Sequence, residues 1–464
     1  MVVGKGKLIE LSVEGLAFGG QGVARVDGFV VFIRGALPGD RVAALITRKK
    51  KAYAEARLTE LLAPSPDRIT APCPYAGHCG GCQWQHLRYE RQLVVKREHV
   101  RDAMTRIGTL PDVPVRDVIP SEESFGYRNK MEFSFSQRRW LLPEEMDTHP
   151  DDRGFALGLH VPGTFDKVLD VEACLLQPET GNRILRVVKS FARDSGLPAY
   201  GIKTHEGFWR FLTIRHSPRL DQWMVNVVTS EENQGTMASL TAALLEEISP
   251  IKTVVNNISA RKAAVAVGER ESVLWGEGTI RDRLGPFTFR VSANSFFQTN
   301  SLTAERLYAK IVDFAELRGS ELVLDLYSGT GTIPIFLSGC TSGVILGMEI
   351  NESAVRDAER NCAANEIANC RFVIGDIREA LAASELKPDV VIIDPPRAGM
   401  HPDVLARVME LAPDRVVYVS CNPPTLARDL ALMVKDYEVV EVQPVDMFPH
   451  TYHIEVVTKL VRRK

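Results

Sequence analysis

From about residue 291 the chain alternates short apolar runs with amphipathic helical stretches, and that rhythm restricts the fold more than any other feature. The runs fall at 321–327, 343–349, 370–375, 389–394 and 415–420, with helical sequence in most of the gaps. Near-continuous apolar strands joined by helices imply βαβ units and a parallel sheet covered on both faces. Two further runs, 438–446 and 454–461, have little helix between them and predict an antiparallel last strand. The expectation is a doubly wound α/β sheet of seven strands. Ligands of such sheets sit at the carboxyl ends of the strands.

The front of the chain follows other rules. Residues 5–62 read as short strands with turns at Gly19-Gly20, Asp27-Gly28 and Pro38-Gly39-Asp40, which predicts a small β-barrel. Three cysteines and then a charged helix, roughly 86–107, occupy the next stretch. Residues 111–290 have an α+β pattern, with strands at 129–136, 154–160, 208–216 and 222–229 and helices near 180–195 and 235–247. At 464 residues the chain is too long for one ordinary domain. The expected division is 1–63, 64–110, 111–290 and 291–464.

Formal net charge is only -3, but its distribution is uneven. Residues 1–63 carry 10 Lys/Arg against 6 Asp/Glu, whereas residues 291–464 carry 17 against 24. A polyanion, if bound, is gripped by the basic front. The N-terminus lacks the apolar core of a signal peptide, and no apolar run is long enough to span a membrane. A cytoplasmic location without membrane attachment is expected. Eight cysteines in such a chain do not read as a disulfide framework.

After the first C-terminal strand comes "DLYSGTGT" (325–332), where Gly329 and Gly331 permit a tight turn and close backbone approach to a ligand. Glu349 ends the second strand, where a carboxylate can accept both hydroxyls of a ribose. Position 334 is Pro, so the third glycine of a dinucleotide loop is missing. This pattern resembles the S-adenosylmethionine (SAM) methyltransferase fold, in which the position of Asp376 contacts the adenine. Strand four ends in "DPPRAG" (394–399), which sets Asp394 at the ligand edge. Aspartate-Pro-Pro occurs in several SAM enzymes that methylate exocyclic amino groups of bases, so this element alone leaves the target atom open.

Strand five ends at Ser420-Cys421, followed by Asn422-Pro423-Pro424, read as a rigid loop. One chemistry needs SAM and a thiolate together, methylation at C5 of a pyrimidine. Thiolate addition to C6 makes C5 nucleophilic, and a base then removes the C5 proton so that the thiol can leave. A free thiol titrates near 8.5, so a group that favours the thiolate is expected nearby. Glu455, at the start of an antiparallel last strand, lies at the same edge as Cys421 and is the expected base, ahead of His450 and His453.

"SFFQTN" (295–300), "DLYSGTGT", "DPPRAG", "SCNPPTLARD" (420–429) and "FPHTYHIEVV" (448–457) together resemble the RNA uracil-C5 methyltransferase family. The resemblance implies Cys421 as nucleophile and Glu455 as proton acceptor. It implies SAM contacts from Gln298, Tyr327, Thr332, Glu349, Asp376 and Asp394. Many relatives carry Phe at the position of Tyr327 and Asn at those of Thr332 and Asp376.

"CPYAGHCGGCQWQ" gives Cys73-x5-Cys79-x2-Cys82, three thiols that need a fourth ligand for zinc or an iron–sulfur cluster. Cys174 in "DVEACLLQP" is the expected fourth; Cys340, Cys362 and Cys370 read as ordinary residues. The 23S rRNA branch of the family carries a 4Fe-4S cluster on Cys-x5-Cys-Gly-Gly-Cys plus a distant cysteine, which implies Cys73, Cys79, Cys82 and Cys174. The front barrel is similar to the TRAM domain, an OB-like RNA-binding module, and "GYRNKMEFSF" (126–135) to a family strand whose Arg128 and Lys130 would hold phosphates. The implied protein is a monomeric 23S rRNA uridine C5-methyltransferase. The alternatives are a tRNA T-loop enzyme and an RNA-binding iron–sulfur protein without transferase activity.

Overall fold

The C-terminal apolar runs form one seven-stranded sheet: β1 (Val323–Leu326), β2 (Ile345–Glu349), β3 (Cys370–Ile374), β4 (Val390–Ile393), β5 (Arg415–Ser420), β6 (Tyr437–Val445) and β7 (Glu455–Arg462). Their order across the sheet is β3-β2-β1-β4-β5-β7-β6. β1 to β5 run parallel, and β7 inserts antiparallel between β5 and β6. Every residue of β1 and β4 is buried, as the uninterrupted apolar runs require when helices cover both faces. One such helix, Glu352–Ala364, starts where the Asn351 side chain accepts hydrogen bonds from the Ser353 and Ala354 N–H groups at 3.0 and 3.4 Å.

This is a computed structural model, and it describes residues 3–149, 151, 153–382 and 386–464. Residues 1–2 of the expected barrel, 150 and 152 of the expected central region, and 383–385 of the expected C-terminal domain lie outside the described residues.

At the front, six strands curl around Val31, Ile33, Val42, Ala44 and Ile46 as an OB-like barrel. Leu8–Ser12 alternates exposed and buried residues, the signature of a sheet with one wet face. The central region is an eight-stranded mixed sheet with helices Glu179–Asp194 and Gln234–Glu247 packed on it around Trp209, Leu212 and Val225. It includes four strands that the sequence does not predict, Arg139–Trp140, Val168–Asp170, Ile251–Ile258 and Arg270–Trp275. The expected boundary at 290 falls inside the strand Phe287–Ser292, whose Phe289 and Val291 join the core beneath the C-terminal sheet.

Helix Tyr89–Arg106 ties the front to the back. Val100, Ala103 and Met104 pack with Leu426 and Leu430 of helix Pro423–Met433. On the same buried stripe lie two polar residues, Gln92 and Lys96, spaced one turn apart. Lys96 Nζ meets Asp446 Oδ1 at 2.5 Å and Phe448 O at 3.0 Å. Gln92 takes the His450 N–H at 2.9 Å and donates to His450 Nδ1 at 3.2 Å. The Gln83 and Trp84 N–H groups both donate to His450 O at 2.9 Å. The loop 446–453, which leads into β7, is thus held from outside its own sheet. Among the described residues no helix is long and apolar enough to cross a membrane.

Candidate active site

The site grows from the carboxyl edge of β1, β2, β4 and β5 and the first residue of β7. Ser420 pairs with Val456, so Cys421 and Glu455 stand on neighbouring strands at one edge. Asp394 follows β4, the strand beside β5. Burial, reinforced by Asp394, raises the Glu455 carboxyl well above its usual range. Burial also lifts Asp394 to about 7.

Burial pushes the Cys421 thiol up to about 11, with the charges of Glu455 and Asp394 adding to the rise. Arg397 opposes it, both by charge and by a hydrogen bond to the thiol. This arginine lies within "DPPRAG" and is not among the site residues expected from the sequence. Its position is built. The Arg397 carbonyl accepts from Asn422 Nδ2 at 2.8 Å and Thr425 Oγ1 at 3.3 Å, and its guanidinium donates to His453 Nδ1 at 2.7 Å. Gly399 closes that turn with φ 78°, and a Cβ there would meet Asp429 Oδ2 at 2.7 Å. Asp429 itself accepts from the Tyr418 hydroxyl at 2.6 Å. Two separate motifs are thereby locked into one edge.

The prolines after Cys421 do not make a loop. Pro423 and Pro424 are the first two residues of helix Pro423–Met433, where a missing N–H costs nothing and the fixed φ suits the helix. The thiol therefore sits at a helix N-terminus, whose partial positive charge favours the thiolate.

His450 and His453, the competing bases, are both kept neutral by burial, each pushed down to about 4. Each has a holding task, His453 for Arg397 and His450 for the loop before β7.

The expected SAM residues surround β1. Asp325 is fully buried, and neither carboxylate oxygen has a partner among the described residues. Burial raises its carboxyl far above the usual value, with Asp394 and Glu349 adding to the effect. Such a cluster of carboxyls suits a cationic ligand, and SAM carries both a sulfonium and an ammonium. Gly331 shows the same fit: its φ is 77° and a Cβ would meet Ala358 at 2.8 Å, so only glycine keeps this turn tight. Tyr327 adopts φ 69°, a left-handed conformation that costs a bulky residue roughly 1–3 kcal/mol. Gln298 is anchored through its carbonyl by Asn129 Nδ2 at 2.9 Å, which joins the central sheet to this edge. Thr332 opens a short helix and accepts from the Tyr308 hydroxyl at 3.2 Å. Glu349 accepts the Gly329 and Asn351 N–H groups at 3.1 and 2.8 Å. Asp376 is turned to Arg378, which contacts it at 2.7 and 3.1 Å and holds its carboxyl at about 2.

Cys73, Cys79, Cys82 and Cys174 line one cavity of about 140 Å³. The Tyr75 hydroxyl accepts the Glu172 N–H at 3.0 Å, and the Gly80 N–H donates to His160 O at 2.9 Å, so the cysteine segment docks against the loop that carries Cys174 and the end of the strand Ala156–His160. Burial pushes Cys79 to about 11 and Cys82 to about 12, with the neighbouring thiols adding to both. A soft, cation-bearing group fits this donor set. Among the described residues no three His, Cys, Asp or Glu side chains close to the geometry of a bound metal ion. Arg128, expected on a phosphate, lines this cavity and donates to Lys130 O at 2.9 Å.

Comparison with known proteins adds the following. The family model for tRNA (uracil-5-)-methyltransferases matches residues 241–463, and that for the TRAM domain matches residues 3–59. An uncharacterized RNA methyltransferase of Chlorobaculum tepidum is 44% identical over 465 residues, covering 98% of this chain and 96% of the relative. A second, from Halalkalibacterium halodurans, is 38% identical over 462 residues, with 99% and 98% covered. The crystal structure of the Pyrococcus abyssi tRNA (uracil-54, C5)-methyltransferase in complex with S-adenosyl-L-homocysteine superposes with a TM-score of 0.76 at 30% identity, covering 98% of this chain and 100% of that one.

Proposed function

The chain belongs to the RNA uracil-5 methyltransferase family, and from that premise we propose that it forms 5-methyluridine in 23S rRNA through a covalent Cys421 adduct. The observation that carries the reading is the meeting of Cys421, Arg397 and Glu455 at one sheet edge. Arg397 and the helix N-terminus stabilise the Cys421 thiolate, which adds to C6 of the uracil ring. SAM, when bound, supplies the electrophilic methyl that C5 takes. Glu455, as the carboxylate, then accepts the C5 proton, and its raised affinity for protons suits that step. The electrons of the broken C5–H bond re-form the C5–C6 double bond and expel the thiolate. The uridine must leave its stack to reach this edge.

Gln298, Tyr327, Thr332, Glu349 and Asp394 would hold SAM, and Asp325 adds its two free oxygens. Asp376 joins them only if it leaves Arg378. Cys73, Cys79, Cys82 and Cys174 would hold a 4Fe-4S cluster, in preference to zinc because the 23S rRNA branch that this motif resembles carries one. Its part is structural, because methyl transfer consumes no electrons. The same reading puts the protein in the cytoplasm as a monomer bound to RNA.

A second reading, methylation of the tRNA T-loop uridine, is favoured by the full-length likeness to the Pyrococcus abyssi tRNA enzyme. The test is trapping on RNA containing 5-fluorouridine. With SAM present, wild type should give a denaturation-resistant adduct and Cys421→Ala none. Absence of an adduct on any RNA would sink the mechanism. Glu455→Gln should accumulate adduct on ordinary RNA while turnover falls about 10²–10⁴-fold. Mapping 5-methyluridine in rRNA and tRNA from a strain lacking the gene decides between the two substrates.

A further inference from the structure

A second cleft, of about 540 Å³, opens on the central sheet at the far end of the strand Lys130–Ser136. Arg138, Arg139, Arg153, Lys167 and Lys203 line it, and among the described residues Asp166 is the carboxylate in its wall. Lys203 ion-pairs with Asp166, and Arg139 with Glu145 from outside the cleft. Arg138 and Lys167 are both exposed, and Lys167 acts on Asp166 by charge without an ion-pair contact among the described residues. A half-buried indole, Trp140, forms part of the wall. In a chain of net charge -3 this is a local concentration of positive charge, not a general one.

The strand beneath it relates the cleft to the crevice. Its near end follows Asn129, which holds Gln298, and six residue steps carry it to Ser136 at the cleft, about 20 Å at ~3.3 Å per residue. A stacked nucleic-acid strand advances ~3.4 Å per nucleotide, so the same distance is about six nucleotides.

We propose that this cleft is a second RNA contact, in which Arg138 and Lys167 grip the sugar–phosphate backbone of the substrate about 20 Å from the domain junction that holds Gln298. The inference rests on the proposed function for the identity of the polyanion. A grip there selects RNAs that extend well beyond the target loop and adds affinity without touching the reacting atoms.

The experiment compares wild type with Arg138→Ala/Lys167→Ala, both changes lying on the surface. Each is given a long structured RNA and a short loop oligonucleotide carrying only the target uridine and its immediate neighbours. On the long RNA, KM should rise about tenfold with kcat unchanged, and the slope of log binding constant against log salt should shrink by about two. On the short oligonucleotide the two proteins should match. An unchanged KM and salt slope on the long RNA would overturn the proposal, as would an equal loss on the short one. Unchanged RNA binding with weakened capture of poly-glutamate would instead assign the cleft to an acidic protein. Fluorouridine trapping in parallel keeps the two readings apart. An intact adduct with no change in binding removes the cleft alone, whereas no adduct in wild type removes the methylation reading while the salt slope still reports on the cleft.

Discussion

Two places in this molecule collect thiol chemistry, and they differ in what surrounds the sulfur. Cys421 stands in a crevice of carboxyls, with Arg397 and a helix N-terminus pulling its thiol toward ionisation. Cys73, Cys79, Cys82 and Cys174 face one another across a cavity, and the neighbouring thiols push Cys79 and Cys82 up. One thiol beside a fixed cation suits the attack proposed for it; four thiols that face mainly one another, with Arg128 on the wall of their cavity, suit the cluster proposed for them. Residue type alone does not separate these uses; the number of thiols that share the space does.

The comparison can be broken in order of effect. Cys421→Ala should lower methyl transfer by about 10⁴-fold or more while leaving the iron and sulfide content of an anaerobic preparation unchanged. A drop in both would mean that the two places are not independent.

Asp394→Asn tests the electrostatic cost stored in the crevice. The wild-type carboxyl titrates near 7 when folded against a usual 3.8, so the folded state favours the protonated form. The stability it allows is full below about pH 4, is lost as pH rises toward 7, and is flat above. The asparagine cannot ionise and should gain on the order of 4 kcal/mol over wild type by pH 7, while SAM binding falls. Denaturant midpoints from pH 4 to 8 measure it; a difference independent of pH would refute the assignment.

Arg397→Ala should make Cys421 resemble the other four. Adduct formation at neutral pH should slow about tenfold to a hundredfold, and its pH profile should move up by at least about one unit, with partial recovery in Arg397→Lys. An unmoved profile would show that the helix N-terminus alone serves the thiol.

Cys82→Ser should lower the melting temperature by several degrees and remove broad visible absorption, yet still trap fluorouridine RNA; zinc without iron in wild type would exclude the cluster. The smallest effect is expected of Cys340→Ser, a half-buried thiol outside both places, within about 0.5 kcal/mol in stability.

Much of the crevice was legible in the sequence because parallel strands place their ends at one edge. Locating Cys421, Asp394 and Glu455 needed only strand order and the direction of β7. Arg397 was not legible, because its orientation depends on Asn422, Thr425 and His453, none adjacent to it in sequence. Pro423-Pro424 misled for a local reason: two prolines suit a rigid loop and the first turn of a helix equally well, and only the packing of Leu426 and Leu430 decides. Gln92 and Lys96 did leave a trace, polar residues on the apolar stripe of a helix otherwise read only as charged. The basic cleft left none, since its lysines and arginines come from segments spread over residues 138–203.

The brace on the loop before β7 also bears on how the molecule comes together. Gln92 and His450 are 358 positions apart in the chain. Contacts of such span carry a large loop-closure cost and form late. The strand that ends before Cys421, the proposed nucleophile, pairs with its neighbours through the C-terminal sheet alone. Glu455, the proposed proton acceptor, is placed in that same sheet by its pairing with Val445, and the docking of helix Tyr89–Arg106 adds an outside hold on the loop that leads to it.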